Sequence, residues 1–172
     1  SDKDLTKRLI AACGVPVPEG AIVATAEQAW EAAQDIGLPV VVKPSDGNHG
    51  RGVTLDLTTR EDVEAAFRLA EQHGSEVLVE RYVRGDEHRL LVVGGRVVAA
   101  ARGETAWVTG DGRSTVAELI DSQINSDPRR GEDEAFPLDV VRVDEPANKL
   151  ELSRQGFDRD SNTVEVFIAR LR

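Results

Sequence analysis

Hydrophobic and polar positions along the chain follow two periods, one helical and one alternating. Leu5, Leu9 and Ala12 fall on one face of a helix that Ser1 or Asp2 opens and Gly14 closes. Residues 15–20 read as an extended linker carrying two prolines, and 21–24 as a short strand. Thr25 and Gln28 stand at capping-box spacing and open a helix through Ile36, which Gly37 ends. An apolar, β-branched run then reaches Lys43 and Pro44. Beyond a glycine-rich loop, 53–57 alternates as a half-buried strand, and Thr58 with Glu61 predicts a second capping box. Val63, Ala66, Phe67 and Ala70 recur at helical spacing as far as about His73, where Gly74 stops the helix. Residues 76–83 predict a strand running into a turn at Arg84-Gly85-Asp86. Residues 89–93 and 96–101 flank Gly94-Gly95 as a β-hairpin.

The second half is less regular. Asp111-Gly112-Arg113 is a turn, and Ser114 or Thr115 caps a helix through about Ser126 with Val116, Leu119, Ile120 and Ile124 inward. Residues 127–137 form a polar, acidic loop. Short strands at 140–143 and 164–168 flank a helical turn at 150–155. Residues 21–101 therefore predict an α+β fold: a mixed, mostly antiparallel sheet with helices packed on one face, without the regular alternation of a doubly wound sheet.

Composition narrows the function classes. Of 172 residues only 4% are aromatic, so the core is built from Val, Leu, Ile and Ala. The net charge of −10 lacks the basic field of a nucleic-acid or anionic-membrane surface. No apolar run approaches the ~20 residues that cross a bilayer. Cys13 is the sole cysteine, which excludes an internal disulfide and predicts a reducing, cytoplasmic setting. Methionine is absent even at the first position, which predicts a fragment or a processed chain.

The candidate chemistry centres on 40–53. A lysine ending a Val-rich strand either snorkels to solvent or holds an anion, and the loop that follows Lys43 favours the anion. Gly47, Gly50 and Gly52 let backbone amides close on a phosphate, with Asn48, His49 and Arg51 as side-chain donors. The order G-x-x-G-x-G opening a strand is neither a Walker loop nor a Rossmann fingerprint. The strand end at Glu80, Tyr82 and Val83 can offer an amide and a carbonyl to an adenine edge, and Glu87 can accept ribose hydroxyls. The same pattern also suits an edge strand with solvated charges. Lys3 is by default a surface residue, and Arg89 and Arg102 face either solvent or a site. The three histidines and Cys13 lack metal-ligand spacing, and no G-x-S-x-G elbow is present.

In this order Lys3, Val42-Lys43-Pro44, the glycine loop and Glu80-Arg81-Tyr82-Val83 with Glu87 resemble the ATP-grasp family. Three segments resemble its cyanophycin synthetase branch: the run from Lys43 to Val53, Glu80-Arg81-Tyr82 with 88–95, and Gly110-Asp111-Gly112-Arg113-Ser114-Thr115 with Asp127-Pro128-Arg129-Arg130-Gly131. Residues 46–52 also resemble the loop of bifunctional glutathione synthetases.

The resemblance implies a partial ATP-grasp fold in three parts. These are an entry helix and linker at 1–20, a small ATP-binding lobe with a phosphate lid at 21–90, and a partial central lobe with an inserted helix and acidic loop at 91–172. It implies a portion of an ATP-dependent carboxylate–amine ligase that adds aspartate to a poly-aspartate backbone through an acyl phosphate. Lys3 and Lys43 would hold ATP phosphates, and Gly47, Asn48, Gly50, Arg51 and Gly52 would cover them. Glu80, Tyr82 and Val83 would line adenine, and Glu87 would bind ribose. His49 would act as base and Arg89 would stabilise developing charge.

The implied cofactors are ATP and magnesium, the latter with ligands expected outside this chain. The implied partners are aspartate, an aspartate–arginine polymer, the parent enzyme's remaining domains and further copies in a homo-oligomer. The chain alone is expected to bind ATP weakly and not to complete catalysis. The alternatives are a glutathione-synthetase-type or other ATP-grasp peptide ligase module, and a non-catalytic nucleotide-binding domain.

Overall fold

The computed structural model describes residues 3–46, 51–103, 106–133, 135–162 and 168–171. It divides into two units, Ser1–Val83 and Arg84–Arg172. The first contains α1 (Lys3–Ala12), β1 (Gly20–Val23), α2 (Ala26–Ile36), β2 (Val40–Pro44), β3 (Thr54–Leu57), α3 (Arg60–Ala70) and β4 (Val77–Arg81). Its four strands make one antiparallel sheet in the order β1-β4-β2-β3. The α+β expectation, with helices on one face of an antiparallel sheet, holds for this unit.

Register decides what each face carries. Val40 pairs with Arg81, Val42 with Val79 and Pro44 with Val77, so these six side chains share one face. Val41 pairs with Glu80 and Lys43 with Leu78, so those share the other. Helices α2 and α3 cover the first face. A Cβ at Gly37, just past α2, would lie 3.3 Å from the Arg81 guanidinium, and one at Gly52 would lie 3.2 Å from both Pro44 Cγ and Ala70 Cα of α3. Val40, Val42 and Val79 of the sheet and Ala29, Ala33, Val63 and Ala66 of the helices are fully buried. Each such valine contributes about 1.5–3 kcal/mol relative to exposure.

The caps formed with small shifts. Thr25 accepts from the Gln28 N–H at 3.2 Å, while the Gln28 side chain reaches back to the Ala24 N–H at 2.9 Å. Thr59, one residue beyond the predicted Thr58, caps α3 by accepting from the Asp62 N–H. The apolar stripe of α1 differs from a core-facing one, since Leu5 and Leu9 are exposed and Lys7 is among the better covered residues of that helix.

The second unit contains β5 (Glu87–Val93), β6 (Arg96–Gly103), β7 (Ala106–Thr109), α4 (Val116–Ile120), a π-helical turn (Asp121–Asn125), β8 (Arg130–Gly131), β9 (Leu138–Asp139), α5 (Pro146–Arg154) and β10 (Ile168–Leu171). Gly94 and Gly95 turn the β5–β6 hairpin with φ of 57° and 73°, as a two-residue turn of this hand requires. Strand β7 pairs antiparallel with β10. The core gathers Val108, Val116, Leu119, Ile120, Ile124, Val141 and Leu152. Thr115 and Glu118 form a complete capping box on α4.

Three local readings change. The single helix predicted through Ser126 passes into a π-helical turn after Ile120. Residues 140–143 are not a ladder strand, because the Asn125 amide takes both backbone groups of Val141. Helix α5 begins at Pro146 rather than 150, since proline is suited to the first helical turn. The polar loop also holds a short parallel pairing, β8 with β9. Most of the predicted strand at 164–168 lies outside the described residues. Among the described residues no helix is long and apolar enough to cross a membrane.

Candidate functional site

Strand β4 has a neighbour on each side, and Glu80 stands opposite Gly20 of β1 and Val41 of β2. Strand alternation points its side chain away from α2 and α3. Glu80 is only 4% exposed, and an unpaired carboxylate so placed would be costly. Two ammonium groups answer it, one per oxygen. Lys7 Nζ of α1 donates to Oε1 at 2.7 Å, and Lys43 Nζ of β2 pairs with Oε2. With both lysines protonated, the cluster carries one positive charge in excess.

Gly20 makes this packing feasible. A Cβ there would come within 2.7 Å of Glu80 Cγ and of the Val79 carbonyl oxygen, and 3.0 Å from Lys7 Nζ.

Lys43 leads into the glycine loop, whose flanks are fixed. The Ser45 N–H donates to the Glu76 carbonyl at 2.9 Å, and Asp46 accepts from the Ser75 N–H and hydroxyl, both at 3.1 Å. Gly74 leaves room for this contact, because a Cβ there would lie 2.6 Å from Asp46 Oδ1. On the far side Gly52, at φ 68°, is buried against Ala70, Pro44 and His73. Its missing side chain serves packing on α3. Arg51 beside it is exposed. Gly47, Asn48, His49 and Gly50 lie outside the described residues.

At the end of β4 the Arg81 N–H donates to the Glu19 carbonyl at 2.8 Å and the Tyr82 N–H to the Pro39 carbonyl at 3.0 Å. Val83 follows, exposed. In the second unit Arg89 Nε donates to Glu87 Oε1 at 3.2 Å, and both side chains are exposed on β5. Lys3 opens α1.

The structure thus brings Lys43 and Glu80 together and adds two residues that the sequence reading did not select, Lys7 and Gly20. For Lys7 a signal existed: it stands four residues after Lys3, on the same side of a helix. For Gly20 there was none, because its role depends on register with β4. Glu80 is thus a buried carboxylate held between two lysines, one from α1 and one from β2, on the face of the sheet opposite α2 and α3.

The chain belongs to the ATP-grasp family, and residues 2–110 match the profile described as the carbamoyl-phosphate synthase L chain, ATP-binding domain. Over 172 residues it is 45% identical to a cyanophycin synthetase of Nostoc sp., covering 99% of this chain and 19% of that protein. It is 36% identical over 165 residues to the bifunctional glutathione biosynthesis protein of Listeria innocua, covering 93% of this chain and 21% of that one. Among solved structures, a bifunctional glutathione synthetase from Pasteurella multocida shares 32% identity at a TM-score of 0.45, covering 99% of this chain and 23% of that chain. The chain spans about a fifth of the length of the curated relatives it matches.

Proposed function

We propose that this chain is the nucleotide-binding portion of an ATP-dependent carboxylate–amine ligase of the cyanophycin synthetase kind, extending a poly-aspartate backbone with aspartate. In that reaction a terminal carboxylate is activated as an acyl phosphate and the aspartate amine displaces phosphate. The observation that carries the nucleotide reading is the Lys43–Glu80 pair on the face of the sheet opposite α2 and α3, where β2 leads into the glycine loop. The similarity to cyanophycin synthetases, at 45% against 36% for the glutathione protein, favours the aspartate substrate.

On this reading Lys43 and Lys3 supply phosphate charge, and the loop from Gly47 to Gly52 covers the phosphates. Glu80, Tyr82 and Val83 line adenine, and because the Tyr82 amide is engaged by Pro39 the backbone contact to the adenine edge falls to Val83. Glu87 takes ribose, Arg89 stabilises charge on the transferring group, and His49 accepts the proton of the incoming amine, a role common to histidine. The lobes at 21–90 and 91–172 go with this assignment. Among the described residues no three His, Cys, Asp or Glu side chains converge as a metal site. Cys13, exposed and the sole cysteine, suits the cytoplasm.

Two measurements test the proposal. Calorimetry with millimolar ATP should give a saturable heat that Lys43→Met reduces by about tenfold or more in affinity. The protein in its natural full length should release ADP with aspartate and an aspartate–arginine primer. Release with γ-glutamylcysteine and glycine instead would move the substrate to the glutathione type.

A further inference from the structure

We propose that Lys7 is the standing counter-ion of Glu80, and that it frees Lys43 to leave the carboxylate and turn to a nucleotide phosphate. The inference rests on the assignment of Lys43 to phosphate made above. Glu80 is buried and holds two cations, each on its own oxygen, so one can depart without stripping the other contact. The two lysines are not equivalent. Lys7 Nζ sits in the notch left by Gly20, 3.0 Å from where a Cβ would stand, and it comes from a separate helix. Lys43 lies on the sheet two residues from the anchored base of the glycine loop, with its side chain 23% exposed.

If Lys43 were the only partner, its move to phosphate would leave a buried carboxylate uncompensated, and the bound state would bear that penalty. With Lys7 in place, Glu80 keeps a charge partner in both states. Lys7 is therefore a positioning residue for nucleotide binding, acting through Glu80 and without touching the ligand.

The test is a set of calorimetric titrations of the 172-residue chain with ATP and with adenosine. Lys7→Met should weaken ATP by about a hundredfold or more, the scale set by a buried carboxylate left alone, and leave adenosine affinity unchanged. Lys7→Gln keeps an N–H donor without the charge; it should fall between, and it carries the test if the methionine variant does not fold. In a Glu80→Gln background the Lys7→Met effect should vanish, because no charge then needs a partner. Unchanged ATP affinity in the Lys7 variants overturns the inference. So does a loss of equal size in the Glu80→Gln background, which would place Lys7 on the phosphate itself, or a parallel loss of adenosine affinity, which would make its role structural. If the parent chain shows no heat with ATP, or Lys43→Met binds as well as the parent, it is the phosphate reading that fails.

Discussion

The side-chain amide of Asn125 donates to the Val141 carbonyl and accepts from the Val141 N–H, both at 2.9 Å, so one side chain completes a strand-like pair. Gln123, on the same π-helical turn, does the same for Thr109 at 2.8 and 2.9 Å. Both amides come from the π-helical turn at Asp121–Asn125. Asn125→Ala should cost about 1–3 kcal/mol, because buried backbone groups lose partners. Urea unfolding of the second unit measures it, and a loss below about 0.5 kcal/mol would show that water takes over the contacts.

Gly20 is a second sensitive point. Gly20→Ala places a Cβ against the Val79 carbonyl, which is backbone and cannot swing aside. We expect a loss of about 1–3 kcal/mol, together with faster amide exchange in α1, whose Lys7 is displaced from Glu80. A variant as stable as the parent would mean that β1 shifts freely along β4.

The two units offer a contrast in how apolar residues contribute. Leu57 is fully buried between sheet and helices, whereas Leu91 on the β5–β6 hairpin is 57% exposed. Leu57→Ala should cost about 2–5 kcal/mol and Leu91→Ala less than about 0.5 kcal/mol. Equal losses, read from thermal or denaturant unfolding, would contradict the exposure of the hairpin.

Asp111 accepts from the Ser114 N–H and Arg113 N–H and from the Ser114 hydroxyl, which lowers its carboxyl from the ordinary 3.8 to about 2. A lowered folded value means the ionised form is favoured by folding. Its stabilising contribution is present above about pH 4 and is lost as pH falls towards 2. An NMR titration of the Asp111 carboxyl carbon should show a midpoint near 2, and Asp111→Asn should flatten the acid limb of stability. Asp127, held by Arg129, is lowered in the same way.

Much of both units could be read from local sequence. Thr25, Gly37, Gly94-Gly95 and the Thr115–Glu118 box act through neighbours within four residues, and the pattern of apolar positions placed the strands. Lys43 and Glu80 could be selected because each ends an apolar strand. Their meeting, and that of Lys7 with Glu80 across 73 residues, depends on strand order, which no local pattern encodes. The exposed stripe of α1 misled for a related reason: spacing reports that a face is apolar, not that anything covers it. Residues 140–143 had strand propensity, but their backbone partner turned out to be an amide side chain.

The anchors of the glycine loop act separately, Asp46 with Ser75 on one side and Gly52 against Ala70 on the other. The register of β2 and the seat of α3 are therefore secured by different residues, so disturbing one leaves the other standing. Damage at Asp46 or Ser75 frees the end of β2, whereas damage at Gly52 is felt first in α3.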